Sequence, residues 1–268
     1  MIVQVTKRII NYRIPFSRYL ASGCSFHDIH FSYRIGISTA SKIVREVCLS
    51  IWSIMRPECI PKPTQEQWEL TALEFERRAN FPHCLGAVDG KHIRVIKPEH
   101  SGSMFYNYKD FFPVVLMAVA DTNYRFVYVD IGSYGKDCDS TIFKRSTLWT
   151  SIQRNMLELP SERPLSGTEG PDVPYFFVGD EGFALNRNIL RPFGGSNLSV
   201  KKRVYNYRLC RARRYVECAF GILSNKWRIS SDRLMSVLTL QWAVLRPVLF
   251  CTILFAREMV ISLKTLCQ

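Results

Sequence analysis

The sequence predicts an α/β fold, a mixed sheet flanked by helices behind a small helical module, and three observations carry that prediction. Hydrophobic residues make up 47% of the 268 positions, enough for a substantial core. Helical spacing fills the first quarter of the chain, and short β-branched runs then dominate until a long helical stretch returns after residue 200. The order of elements after residue 81 is strand, strand, strand, helix, strand, helix, which belongs to a helix-flanked sheet rather than to a bundle or an all-β sandwich.

The elements follow in order. Ser25 is placed to cap a short helix, and residues 37–52 put Ile43, Val47 and Ile51 on one face of another. The turn from Arg34 to Ser38, followed by Thr39-Ala-Ser-Lys42, resembles the start of the second helix of a helix-turn-helix, so residues 1–60 form a helical, helix-turn-helix-like module. The proline-rich stretch 57–63 reads as a linker. Thr64 and Gln67 have the spacing of a capping box, opening a helix to about Arg78 with Trp68, Leu73 and Phe75 as core contacts. Residues 61–80 are therefore linker and helix.

Residues 85–95, 114–120 and 126–131 read as a meander of mostly antiparallel strands. Residues 139–152 follow as a helix capped by Asp139 or Ser140. Residues 174–179 form a buried strand ending at Asp180, and residues 204–227 carry helical spacing. This is the order of an RNase H-like core, expected over residues 81–232. Residues 233–268 make apolar C-terminal helices. The run 234–255 approaches the length of a membrane span, but Gln241, Arg246 and Pro247 interrupt it, and a packed helix pair is the better reading.

The formal charge of +13 favours a polyanionic partner. Nine cysteines without a Cys-x-x-Cys pair read as reduced thiols, and the N-terminus lacks a secretory signal, so a nuclear or cytoplasmic protein is expected. No phosphate-binding Gly-x-x-x-x-Gly-Lys loop and no Ser-His-Asp arrangement appears.

Asp89 and Asp180 each end an apolar run, where a bare carboxylate is costly to bury without a cation. On neighbouring strands the two acids would converge and repel unless Mg²⁺ or Mn²⁺ bridged them. Glu217 follows Asp180 by 37 residues, on a helix whose Val216, Phe220 and Leu223 pack inward, and it completes a three-carboxylate cage. Two metals in such a cage clamp the attacking and leaving oxygens of a phosphodiester. Singly, each acid is more simply a turn, cap or surface residue; their conjunction points to a site.

Lys201, Lys202, Arg203, Arg208, Arg211, Arg213 and Arg214, with interleaved tyrosines, precede Glu217 and suit DNA phosphates. His92 and Asp139 are auxiliary candidates at the metals; alternatively His92 is structural, and Asp137 and Asp139 are cap residues.

The motifs Phe81-Pro-His-Cys-Leu-Gly-Ala-Val-Asp-Gly-Lys-His-Ile93, Phe176-Phe-Val-Gly-Asp-Glu-Gly-Phe183 and Tyr207-Arg-Leu-Cys-Arg-Ala-Arg-Arg-Tyr-Val-Glu-Cys-Ala-Phe-Gly221 carry a resemblance to the PIF/Harbinger transposase group. That group includes the Harbinger-derived nucleases and ALP1-like proteins, of the DDE endonuclease superfamily. Shorter matches at residues 19–26, 35–39, 101–103 and 106–109 extend the likeness over residues 17–229. The resemblance implies an RNase H-like catalytic domain with its acidic triad on Asp89, Asp180 and Glu217, and a divalent-metal requirement. It also implies a nuclear location and recruitment of a separate Myb-like or MADF-type DNA-binding protein. Further copies of the chain are a third expected partner; a membrane is not. One departure is at the C-terminal end, where relatives carry Leu-His-Asn and this chain reads Leu245-Arg-Pro-Val. The function expected is metal-dependent DNA cleavage as a transposase or domesticated nuclease. The alternative is a catalytically silent, transposase-derived protein that binds DNA or chromatin, or serves as a scaffold.

Overall fold

The computed structural model describes residues 15–95, 112–134 and 138–228. The apolar run 234–255, the matched motifs at 101–103 and 106–109, and Asp137 lie outside the described residues.

Helix α1 covers residues 15–22. Helix α2 (Phe26–Tyr33) begins with a complete capping box: Ser25 Oγ accepts from Asp28 N–H, and the Asp28 carboxylate accepts from Ser25 N–H at 2.8 Å. Arg34 adopts the left-handed conformation and closes α2, turning the chain into α3 (Ile37–Cys59). Ala40, Ile43, Val44, Val47 and Cys48 are buried along one stripe of α3, while Ile51 is half-buried at its margin. Contrary to the linker reading of 57–63, α3 continues through Pro57 and ends at Cys59, which leaves residues 60–64 as the connection. A proline within the last turn removes one hydrogen bond and the helix stops two residues on.

Helix α4 (Gln65–Ala79) has the predicted capping box between Thr64 and Gln67. Its buried stripe is Trp68, Ala72, Phe75 and Ala79, spaced by four, three and four residues; Leu73 lies off that stripe and is exposed rather than in the core. The Trp68 indole N–H donates to the Leu157 carbonyl at 3.0 Å.

The sheet runs β3-β2-β1-β4-β5. Strands β1 (Cys84–Val95), β2 (Phe112–Ala120) and β3 (Phe126–Tyr134) form the antiparallel meander. Strand β4 (Phe176–Val178) pairs parallel with β1, and β5 (Ile189–Leu190) pairs parallel with β4. Ala87, Ala118 and Val178 on one face pack with the N-terminal helices and with α7 (Val200–Lys226). Val88, Met117 and Phe177 on the other pack against α5 (Asp139–Arg145) and α6 (Thr147–Gln153). This is the mixed α/β architecture expected of an RNase H-like core, with both sheet faces covered.

Residues 139–152 form two helices rather than one. Ser146 leaves helical geometry at ψ 154° and its Oγ accepts from Trp149 N–H, capping a new helix. The cap of α5 is Cys138, one residue before Asp139 and two before Ser140, the two predicted caps.

Candidate metal centre

Strand register brings the first two acids together. Ala87 pairs with Val178 across the parallel β1–β4 ladder, and Asp89 and Asp180 each lie two residues further on. Side chains alternate with period two within β1, so the Asp89 carboxylate inherits the face of Ala87, which packs toward α7. Strand β4 stops at Val178 while β1 continues to Val95, so beyond Asp89 the β4 side of β1 opens. Such a position, past the carboxyl end of a strand in a sheet with parallel pairing, is where α/β sheets bind ligands.

The third acid in this opening is Asp139. Ligand oxygens of Asp89, Asp139 and Asp180 lie within 4.8 Å of one another. Gly90 makes room for it, because a Cβ at that position would fall 2.4 Å from Asp139 Oδ1. The N-cap position of α5 is held by Cys138 rather than Asp139, and Asp139 Oδ1 is buried without a hydrogen-bond partner. An orphaned carboxylate oxygen costs several kcal/mol unless a cation meets it.

Hydrogen bonds aim the other two. Asp89 Oδ1 accepts from Gly90 N–H at 2.9 Å, and Asp180 Oδ1 accepts from Gly182 N–H at 2.9 Å, bending the chain sharply after β4. Burial pushes the Asp89 carboxyl up to about 6, helped by the negative charges of Asp139 and Asp180 and opposed by the Gly90 N–H and the Arg213 guanidinium. Burial likewise raises Asp139, against the pull of His92 and with the repulsion of Asp180. Three hard oxygen donors at this spacing suit Mg²⁺ or Mn²⁺.

Glu217 stands outside this trio. It lies on α7, its side chain 48% exposed, with Oε1 3.3 Å from Arg213 Nη2. Arg213 in turn is 17% exposed, acts on Asp89, and has a buried Nε without a partner. Helix α7 therefore presents a cation to the carboxylates and a carboxylate beside that cation. His92 is exposed on β1, within electrostatic reach of Asp139. The expected convergence is thus found for Asp89 and Asp180, with Asp139, an auxiliary candidate from sequence, as the neighbour that joins them.

The seven expected phosphate contacts divide by environment. Lys201, Lys202, Arg203 and Arg214 are exposed and Arg208 half-buried on α7. Arg211 turns back instead, donating to the Arg78 carbonyl at 2.7 Å and fastening α7 to the end of α4, while Arg213 faces the acids. Two cavities, of about 260 and 470 Å³, lie along residues 60–63 and β3, away from the carboxylates.

Residues 88–255 match the family described as DDE superfamily endonuclease, more than half of the chain. The chain belongs to this family. It is 30% identical over 158 residues to Protein ALP1-like of Arabidopsis thaliana, an alignment covering 58% of this chain and 38% of that protein. The chain thus spans well under two thirds of that relative's length. No solved structure matches. Both matches bear out the resemblance to transposase-derived nucleases of the PIF/Harbinger group, and the DDE superfamily assignment agrees with the mixed sheet. Among the described residues no helix is long and apolar enough to cross a membrane.

Proposed function

We propose that this DDE-family chain is a divalent-metal-dependent DNA endonuclease, acting in the nucleus as a transposase or as its domesticated descendant. The observation that carries the reading is the convergence of Asp89, Asp139 and Asp180 beside β1 where β4 ends, with one buried oxygen lacking any hydrogen-bond partner. Those three would hold Mg²⁺ or Mn²⁺, with Glu217 supplied from α7 as the fourth acid and the family's triad member. Bound there, a pair of such ions supplies Lewis acidity and a hydroxide near neutral pH for phosphodiester cleavage.

The chain's own residues do the rest. Gly90 N–H and Gly182 N–H orient the acids, so little reorganisation is left for the reaction. Arg213 supplies a fixed positive charge beside Asp89, where a phosphodiester oxyanion gains from it. Lys201, Lys202 and Arg203, exposed at the front of α7, attract the DNA backbone. The helical module at residues 1–60 and the catalytic region at 81–232 are proposed as separate functional units, the turn between α2 and α3 meeting DNA. Target choice falls to a Myb-like or MADF-type partner, and further copies of the chain complete the assembly.

Supercoiled-plasmid nicking tests this. Wild type with Mg²⁺ or Mn²⁺ is expected to nick, and Asp89→Asn, Asp139→Asn and Asp180→Asn each to lose at least a hundredfold. Nicking that survives Asp180→Asn removes the site assignment. The pairing of Glu217 with Arg213, outside the trio, favours a second reading, a catalytically silent DNA-binding or scaffold protein. Metal-independent DNA binding without nicking in any divalent ion would select it.

A further inference from the structure

Between Glu181 and Glu217 the sequence carries nine Lys and Arg and no acidic residue. Arg187 pairs with Glu162, Arg191 with two backbone carbonyls, Arg211 with a third, and Arg213 with Glu217. Among the described residues Lys201, Lys202, Arg203, Arg208 and Arg214 have no carboxylate partner. Beside one of them, Lys202, stands an aromatic ring. Phe193 is 45% exposed.

Its support is unusually complete. Asn206 on α7 takes both backbone groups of Phe193, accepting from its N–H at 2.8 Å and donating to its carbonyl at 2.9 Å. Tyr205 meets the ring edge-on at 5.1 Å and fixes the preceding turn through its hydroxyl, which donates to the Arg191 carbonyl. Lys202 Nζ lies 4.9 Å from the ring centroid. Beside the ring the space is open: a Cβ at Gly194 or Gly195 would meet nothing within 4 Å. The platform is also tied to the metal centre, because Arg191 donates to the carbonyls of Glu181 and Phe183, the turn that carries Asp180.

We infer that Phe193, flanked by Lys202, is a stacking platform for an unpaired base of the DNA strand leaving the carboxylate site. The inference rests on the DNA-cleavage reading above and names where the strand goes. A half-exposed aromatic held by Asn206 and Tyr205, with the Lys202 ammonium beside it, matches both chemistries of a single strand, the π-face of a base and the phosphate next to it. Lys202, Asn206, Arg213 and Glu217 recur at helical spacing along one flank of α7. At 1.5 Å per residue the platform lies about 10 to 20 Å from Arg213 and Glu217 along that helix, a few nucleotides of strand.

Binding is measured on the full chain carrying Asp180→Asn, so that cleavage plays no part and a failure of the nicking assay leaves this test standing. The probes are a duplex with a 3′ single-stranded overhang carrying 2-aminopurine and a fully paired duplex of equal length. Phe193→Leu, which keeps apolar bulk, is expected to weaken overhang binding about tenfold and paired-duplex binding less than twofold. Phe193→Trp restores affinity, with indole emission and 2-aminopurine emission quenched together. Equal losses on both probes, no loss on either, or an unquenched indole in a folded Phe193→Trp protein would each overturn the proposal. So would displacement of the overhang by a polyglutamate peptide as effectively as by single-stranded DNA, which would make this a surface for acidic proteins.

Discussion

An ionised carboxylate is hardest to keep where nothing answers its charge, and Asp89 is the residue at which this chain bears that cost. Burial raises its carboxyl from 3.8 to about 6, so the folded chain prefers the neutral acid. Below pH 3.8 the acid is neutral in both folded and unfolded chains and no penalty exists. As pH rises from there the unfolded chain ionises first, and stability falls until the folded carboxyl ionises near 6. With about 1.4 kcal/mol for each tenfold, the full penalty at pH 7.5 is on the order of 3 kcal/mol. Asp89→Asn, unfolded by urea in EDTA, should therefore be more stable than wild type at pH 7.5 and should lose that advantage near pH 3.5. Added Mn²⁺ should stabilise wild type and leave the variant unmoved; a variant less stable than wild type at pH 7.5 would show that Asp89 is held by its partners rather than strained. Gly90 gives the companion test. Its Cβ in Gly90→Ala would collide with Asp139 Oδ1, and the flexible carboxylate must swing away. Mn²⁺ affinity by calorimetry should fall tenfold or more while the urea midpoint changes little. At this scale sequence reasoning found Asp89 and Asp180, because an acid ending an apolar run is legible as such. It left Asp139 as an auxiliary, because a residue opening a helix has an ordinary explanation as a cap, and only the structure, with Cys138 at the cap position and Asp139 Oδ1 buried without a partner, removes that explanation.

Elements decide where those residues arrive. The parallel register of β1 and β4 sets Asp89 and Asp180 side by side, and the chain after β4 must fold back at once so that Phe183 covers the sheet. Gly179 permits this: a Cβ there would lie 2.7 Å from the Phe183 ring. Gly179→Ala displaces either the ring or the Asp180 turn, and overpacking of this kind costs about 1 to 3 kcal/mol. The measurement is a pair of readings, a lower urea midpoint together with weakened Mn²⁺ binding, since Phe183 and Asp180 share one short turn. A lower midpoint with unchanged metal affinity would show that the ring alone yields. Strands β1 to β4 and the caps at Ser25 and Thr64 were legible because alternation and capping spacing are local properties. The break at Ser146 and the two-residue β5 were not. Ser146 fits either a helix interior or a cap until its burial and its bond to Trp149 choose, and Ile189-Leu190 is too short to show a period. Glu217 marks the same limit from another side. Spacing placed it on the inner flank of α7, but the rotation of its carboxylate is set by Arg213 one turn earlier, a partner four residues away and always charged.

For the whole molecule the decisive quantity is the formal charge of +13 and its concentration in the chain after Asp180. A compact protein tolerates such self-repulsion most readily when a polyanion neutralises it, and the salt dependence of binding counts the cations that do so. The described cations are not equivalent. Lys201, Lys202 and Arg203 are exposed, whereas Arg211 holds the Arg78 carbonyl and so joins α7 to α4. Replacing the first three together by Gln should lower the slope of log affinity against log salt on duplex DNA by about 2 to 3, at roughly 0.9 for each phosphate no longer neutralised, with the urea midpoint unchanged. Arg211→Gln should do the reverse, leaving the slope within about 1 of the wild-type value and destabilising the fold by about 1 to 3 kcal/mol as the Arg78 carbonyl is deprived of its partner. Both variants carry less positive charge, so a slope that fell equally per cation removed would mean that DNA senses only the overall field. Unequal slopes locate the DNA path on the exposed front of α7, leading past Arg213 to the three carboxylates.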